Sequence, residues 1–277
     1  MNIQTLAKIL IDSGIEENEA NREIEMLLEK FCNYTQKDKI LGKELTSEQL
    51  DIISQKIELR VKKRFPIQYI IEEAYFMGEF FKVTPDVLIP RDETEILVTK
   101  AIEIISQNNL KTILDIGTGS GCIACTIANN TDATVLGVDI SSDALRVALD
   151  NVTKLRINNK AVFRKSDLYD KIREDEKFDM IISNPPYIPE GTKLEPELVH
   201  EPKIALFADE NGLQIYRRII EDAAKYLNKD GWLMFELGIG ESEPVKSFLV
   251  NEFQDISIIK DLAGIDRVIF CRLKNVD

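Results

Sequence analysis

Histidine is almost missing from this chain: His200 is the only one in 277 residues. Cysteine is sparse, at Cys32, Cys122, Cys125 and Cys271. Cys122 and Cys125 form a single C-x-x-C pair. A zinc site on that pair needs a second ligand pair, and the lone histidine lies far along the chain. The pair also sits in an apolar helix start, GCIACTIA, where small buried hydrophobes are the expected role. A basic surplus is absent: 35 Lys and Arg stand against 48 Asp and Glu, a net charge of −13. That balance opposes a protein living on nucleic-acid backbone, which needs a basic face. No apolar run approaches the ~20 residues of a membrane span. The opening MNIQTLAKILIDSGIEENEA lacks a basic segment followed by a signal-type apolar stretch, so a cytoplasmic location is expected.

What is present has an ordinary globular balance, with 44% hydrophobic and 30% charged residues,. Residues 1 to about 65 carry helical periodicity alone. Helices are expected at about Ile3–Ser13, Asn18–Phe31 and, from the capping box Thr46-Ser47-Glu48-Gln49, to about Lys63 before Pro66. From Tyr69 to Ile89, aromatic and β-branched residues around Met77-Gly78 predict a β-hairpin. From about residue 91 a helix begins, and after Lys111 strands alternate with helices, which predicts a doubly wound parallel sheet. The last two strands, DISIIKD and RVIFCRL, are close enough to pair antiparallel. The expected division is a helical bundle at 1–66, a hairpin linker at 67–90, and an α/β domain at 91–277. No coiled coil or large apolar stripe is visible, so a monomer is the default expectation.

Asp115-Ile116-Gly117-Thr118-Gly119-Ser120-Gly121 closes the first strand of the alternation. Its glycines allow a tight turn and close approach of a ligand at the strand's carboxyl end. The dinucleotide fingerprint needs glycine at position 122, where Cys122 stands. An acid beside the loop suits a cationic, phosphate-free ligand better than a pyrophosphate. Asp139 ends the next strand and is placed to accept two ribose hydroxyls. Asp167 ends the third, placed for an adenine amino group. Three acids at three successive strand ends resemble a class I S-adenosylmethionine-dependent methyltransferase, whose cofactor carries a positive sulfonium.

The fourth strand ends in Asn184-Pro185-Pro186-Tyr187. A conjugated NH2 group is a poor nucleophile because its lone pair is delocalised. The Asn184 side-chain oxygen and the Pro185 carbonyl can each accept one of its hydrogens. The prolines stiffen the carbonyl's direction and carry no competing N–H. Tyr187 offers a ring face to a planar substrate group. Catalysis is then mostly orientation for in-line displacement.

LIPRDETE (Leu88 to Glu95), DIGTGSGCIA, VDIS, NPPYI, Glu201-Pro202 and DLAGIDRV (Asp261 to Val268) together resemble the protein-glutamine methyltransferase family that modifies class I peptide-chain release factors. The resemblance spans essentially the whole chain. It implies a Rossmann-like seven-stranded sheet with an antiparallel C-terminal strand, S-adenosylmethionine as methyl donor, and the glutamine of a Gly-Gly-Gln motif as substrate, methylated at N5. It implies that Gly117 to Gly121, Asp139 and the Asp167-Leu168 corner bind the cofactor, that Asn184 to Tyr187 bind the glutamine, and that the helices and hairpin dock the release factor. Two other substrates share the chemistry: the exocyclic amino group of adenine in DNA or RNA, and a ribosomal-protein glutamine. The first lacks a basic target-recognition segment here. Departures from the family pattern include Asp92 in place of proline and Glu72 or Glu73 in place of glycine.

Overall fold

The computed structural model describes residues 3–275. It divides into two compact units: Met1–Glu73 with Leu194–His200, and Ala74–Lys193 with Glu201–Asp277.

The first unit holds α1 (Ile3–Asp12), α2 (Glu17–Cys32), α3 (Gln36–Ile40), α4 (Ser47–Lys63) and α5 (Ile67–Ile71). Leu6, Leu10, Ile24, Leu27, Ile53 and Ile57 recur at helical spacing and form its buried core,. The Thr46–Gln49 capping box starts α4 as the sequence predicts. A second box, Thr35 with Asp38, starts the short α3, a helix beyond those expected from the sequence. The stretch after Pro66 is a helical turn, where the sequence predicts hairpin from Tyr69. Its Ile67, Ile70 and Ile71 lie in the core of the helical unit, and that burial overrides the strand propensity of a β-branched run,. Glu72 caps α5 at φ 57, a left-handed conformation that glycine adopts without strain,.

A buried ion pair crosses this unit. Arg60 Nε lies 3.0 Å from both Glu23 carboxylate oxygens, and a terminal guanidinium nitrogen is 2.9 Å from Oε1. Another Arg60 nitrogen donates to Glu197 at 2.9 Å, and Arg64 pairs with the same Glu197 oxygen at 2.6 Å. Burial lifts the Glu23 pKa, and Arg60 opposes the lift. His200 sits with Nε2 2.6 Å from the Lys63 carbonyl oxygen and its ring edge-on to Phe65. Its contacts are those of a helix-end cap.

The hairpin β1 (Glu73–Phe76) and β2 (Glu79–Lys82) follows, and from Ala74 on it belongs to the second unit. Met77 and Gly78 both take positive φ at its turn, the geometry that matches strand twist in two-residue hairpins,. Then follow α6 (Asp92–Asn108), β3 (Thr112–Ile116), α7 (Cys122–Asn130), β4 (Thr134–Asp139), α8 (Ser142–Leu155), β5 (Ala161–Lys165) and β6 (Phe178–Ser183). After them come β7 (Ile188–Pro189), α9 (Lys203–Leu206), β8 (Phe207–Ala208), α10 (Gln214–Tyr226), β9 (Leu227–Glu236), α11 (Ser242–Leu249), β10 (Phe253–Lys260) and β11 (Asp266–Leu273).

The main sheet has seven strands in the order β10-β11-β9-β6-β3-β4-β5. β3 runs parallel to β4 and β6, and β11 is antiparallel to both β9 and β10. The chain winds outward from β3 to β5, then returns to β6 on the other side of β3. The strand order therefore reverses between β3 and β6, where an open α/β sheet forms a crevice beyond its carboxyl edge. One apolar layer, including Leu97, Ile123, Ile127 and Val152, covers one face. Tyr216, Ile219, Val245 and Leu249 cover the other. Asn151, fully buried, accepts from Lys82 N at 2.6 Å and donates to the carbonyls of Lys82 and Ser120. It thus ties β2 and α8 to the loop after β3. Among the described residues no helix is long and apolar enough to cross a membrane.

Candidate active site

The loop after β3 is folded by its own backbone. The amides of Gly117 and Thr118 donate to the Val138 carbonyl at 2.9 and 3.0 Å, and Gly121 N donates to Thr118 O at 2.8 Å. Gly117 and Gly119 take φ of 74° and 53°. Gly121 starts α7 at φ 78, and a Cβ there would lie 3.0 Å from Phe163 and 3.1 Å from Ala148. Asp139 is pinned by two amides: Gly119 N reaches Oδ2 at 2.9 Å and Ser141 N reaches Oδ1 at 2.8 Å. Burial raises its pKa, and those amides oppose the rise.

Asp115 lies differently from Asp139. It is fully buried beneath the loop and accepts the Thr118 hydroxyl at 2.6 Å. Burial, helped by the charge of Asp139, pushes its pKa up to about 7, while the Thr118 hydroxyl pulls the other way. Cys122 and Cys125 are buried in α7, and burial pushes the Cys122 thiol up to about 12. At neutral pH it stays a thiol.

Asn184 leaves the end of β6 half-buried. Its Nδ2 donates to Thr94 Oγ1 at 3.1 Å, and the Thr94 hydroxyl donates to Glu236 Oε2 at 2.5 Å. The Tyr187 hydroxyl reaches the other Glu236 oxygen at 3.4 Å. Tyr216 donates to the Glu236 carbonyl at 2.8 Å. Among the described residues, nothing takes the Asn184 side-chain oxygen.

Two glycines make room for Tyr187. A Cβ at Gly238 would sit 2.9 Å from its ring, and one at Gly212 only 2.2 Å from its carbonyl oxygen. Gly212 also holds φ 92, which strains any other residue. Gly212→Ala is therefore expected to cost about 2 kcal/mol or more, through overpacking and backbone strain. Urea denaturation reads this, and an unchanged midpoint would show that the loop yields freely. Nearby, Glu201 accepts the Ile89 amide at 3.0 Å and pairs with Arg91, which anchors the stretch leading into α6.

These strand ends surround a cavity of about 200 Å³. Gly117, Gly119, Asp139, Asp167, Leu168 and Asn184 to Pro186 line it. A Cβ at Gly117 would meet no protein atom within 4 Å, so the space it faces is open to a ligand's approach. Asp167 is held by Arg218 at 3.0 Å. Val138, Ile140, Leu168 and Ile215 supply apolar wall. An acid with a fixed carboxylate, a glycine edge and an apolar slot fit a cationic nucleoside such as S-adenosylmethionine. Asp115, Thr118, Ser120, Gly121 and Tyr187 are not among the residues that line it.

The methyltransferase small domain family matches residues 93–207. The release factor glutamine methyltransferase of Thermodesulfovibrio yellowstonii is 42% identical over 251 residues, 87% of this chain and 89% of that protein. The one from Fusobacterium nucleatum subsp. nucleatum is 40% identical over 237 residues, 84% of this chain and 67% of that protein. The chain belongs to the release factor glutamine methyltransferase family. Among solved structures, the ribosomal protein L11 methylase of Lactobacillus delbrueckii subsp. bulgaricus matches with a TM-score of 0.53 at 24% identity, over 72% of this chain and 87% of that one. This last likeness shows the shared fold alone.

As a member of the release factor glutamine methyltransferase family, the protein is an S-adenosylmethionine-dependent methyltransferase, with the class I fold expected from its sequence. No role for Thr94, Glu201 or Glu236 follows from the sequence motifs. Thr94 and Glu201 lie in stretches that carry the family resemblance, and Glu236 ends β9 at the same sheet edge as the other acids. That shared edge was the available signal.

Three buried carboxyls, Asp115, Glu236 and Glu241, have pKa values raised to about 7, with burial the largest cause for each. The folded state binds their protons more tightly than the unfolded state. Their contribution to stability is complete below the usual carboxyl pKa near ~4 and is lost as pH rises through about 7. Glu176, lowered to about 2 by Arg164, titrates below that window. The thermal midpoint is expected to fall between pH 5 and pH 8, and Asp115→Asn to flatten that fall. An equal slope in wild type and variant, by scanning calorimetry, would contradict the assignment.

Proposed function

We propose that this enzyme methylates the side-chain amide nitrogen, N5, of the glutamine in the Gly-Gly-Gln motif of class I peptide-chain release factors. The observation that carries the reading is the Asn184 carboxamide, held through its nitrogen by Thr94 in a residue that lines the cavity. Its oxygen is left to accept one N–H of a substrate amide. The Pro185 carbonyl accepts the second N–H. The Tyr187 ring, packed against Gly238, supports the plane of the amide.

S-adenosylmethionine supplies an electrophilic methyl group on a sulfonium. Gly117, Gly119, Asp139, Asp167 and Leu168 are assigned to hold it, with Asp115, Thr118, Ser120 and Gly121 shaping the loop. Asn184 and Pro185 turn the amide nitrogen in line with that methyl. On transfer the methyl carbon–sulfur bond would break, the donor would leave as a neutral thioether, and the nitrogen would gain the methyl and give up one proton to solvent, which takes it because the protonated N-methylated amide is strongly acidic. Two acceptors aimed at a nitrogen of rising charge favour the transition state over the ground state.

The release factor is read as the protein partner, and the helical unit and hairpin as its docking elements. Exposed Ile40 and Leu41 on the first, and exposed Tyr75 and Phe80 on the second, support that assignment,. A cytoplasmic monomer fits the net charge of −13 and the substrate. Tritiated methyl transfer to purified release factor tests the function, with the motif glutamine replaced by alanine as control. Equal labelling of both proteins would refute the glutamine assignment.

A further inference from the structure

Thr94 and Glu236 are 142 residues apart in the chain, yet both are buried, at 2% and 1% exposure, and they meet directly behind Asn184. A threonine hydroxyl has one hydrogen to give. An ionised carboxylate can only accept, so the Thr94 hydrogen goes to Glu236,. Thr94 must then accept from Asn184, and only the amide nitrogen can donate to it. The direction of the chain dictates which end of the carboxamide is turned away.

We propose that Thr94 and Glu236 are positioning residues for methyl transfer: the directed chain from Asn184 through Thr94 to Glu236 keeps the Asn184 oxygen, and not its NH2 group, presented to the substrate nitrogen. This rests on the reading of Asn184 as an acceptor for the substrate amide. A protonated Glu236 can reverse the chain. Its O–H donates to Thr94, the freed Thr94 hydrogen is donated to the Asn184 oxygen, and the Asn184 NH2 turns toward a substrate NH2. Two donors then face each other with no acceptor between them.

The groups around Glu236 are Thr94 and Glu93 on α6, Tyr187 after β6, Arg267 on β11, and Cys122 on α7. Tyr216 on α10 binds the backbone carbonyl and leaves the carboxyl alone. Burial and then Glu93 favour the protonated form, while Thr94, Tyr187 and Arg267 oppose it, with a result of about 7. Transfer therefore falls on the acid side of neutrality as the chain reverses. A glutamine at 236 can accept from Thr94 and donate to the Tyr187 oxygen, which retains the working direction without a titrating proton.

The test uses the full chain, tritiated methyl donor and purified class I release factor, with rates followed from pH 5.5 to 9. Thr94→Val is expected to lower kcat about a hundredfold, as a misdirected reacting group does, with the KM for S-adenosylmethionine within about threefold. Thr94→Ser restores most of the rate. Glu236→Gln removes the acid limb of the pH profile, which also separates its role from those of Asp115 and Glu241. An active wild type whose Thr94→Val variant matches it within threefold overturns the proposal. So does a Glu236→Gln variant with the wild-type acid limb, and this arm decides the matter if Thr94→Val fails to fold. A wild type that labels no release factor overturns the glutamine reading itself, a separate outcome seen before any variant is made.

Discussion

Asn184→Ala is expected to slow methyl transfer by about a thousandfold while leaving S-adenosylmethionine binding within about tenfold, roughly 1.4 kcal/mol. The two effects separate because the side chain has two neighbours of different kinds. Its nitrogen is committed to Thr94, so its loss leaves Thr94 and Glu236 bonded to each other and the protein side of the network largely intact. Its oxygen is assigned to the substrate amide. Without that acceptor the nitrogen is free to rotate, and its lone pair remains delocalised into the carbonyl. The side of the cavity proposed for the cofactor is lined by Gly117, Gly119 and Asp139, none of which is held by Asn184. Single-turnover tritium transfer and calorimetry read the two effects independently. A variant that transfers methyl at a third of the wild-type rate or better would remove the acceptor role.

Arg60→Ala is expected to destabilise the helical unit by about 3–5 kcal/mol, the usual result of stranding one member of a buried ion pair. Arg60 is 3% exposed and Glu23 2%. Glu23 already carries a raised pKa from burial with its partner in place. Without Arg60 it loses all the charge-assisted hydrogen bonds that stabilise its ionised form, and Glu197 keeps only Arg64. Replacing both Arg60 and Glu23 with apolar residues of similar volume costs much less, because no charge remains buried. Urea denaturation followed by circular dichroism measures the difference. A single variant within about 1 kcal/mol of wild type would mean that water reaches Glu23.

The fold was legible where a local pattern coincided with burial. Strand-helix alternation after Lys111, the capping box at Thr46 and the glycine loop each depend on residues close together in the chain. The reading weakened where long-range contacts decide. Ile67, Ile70 and Ile71 have strand-like residue types, but their place in the helical core makes them a helix. Asp115 and Asp139 look equivalent as acids at strand ends. The pleat and the loop turn Asp115 into the interior against Thr118 and bring Asp139 to the cavity edge. Asn184 could be singled out because its neighbours in sequence are unusual. Thr94 and Glu236 are common residue types whose meaning comes from meeting across 142 residues. Gly212 and Gly238 likewise reveal themselves through the ring and carbonyl of Tyr187 that a Cβ would strike.

The segment Leu194–His200 belongs to the helical unit although the residues on both sides of it do not. Cutting the chain after Glu73 would therefore give an incomplete piece. It would lack Glu197, the shared partner of Arg60 and Arg64, and His200, the cap on the Lys63 carbonyl. The helical unit is not a detachable cassette: recombination, truncation or transplantation onto another methyltransferase must carry two separate stretches of sequence together. The second of those stretches begins seven residues beyond Tyr187, so any graft that preserves the bundle must also reach almost to Asn184-Pro185-Pro186-Tyr187.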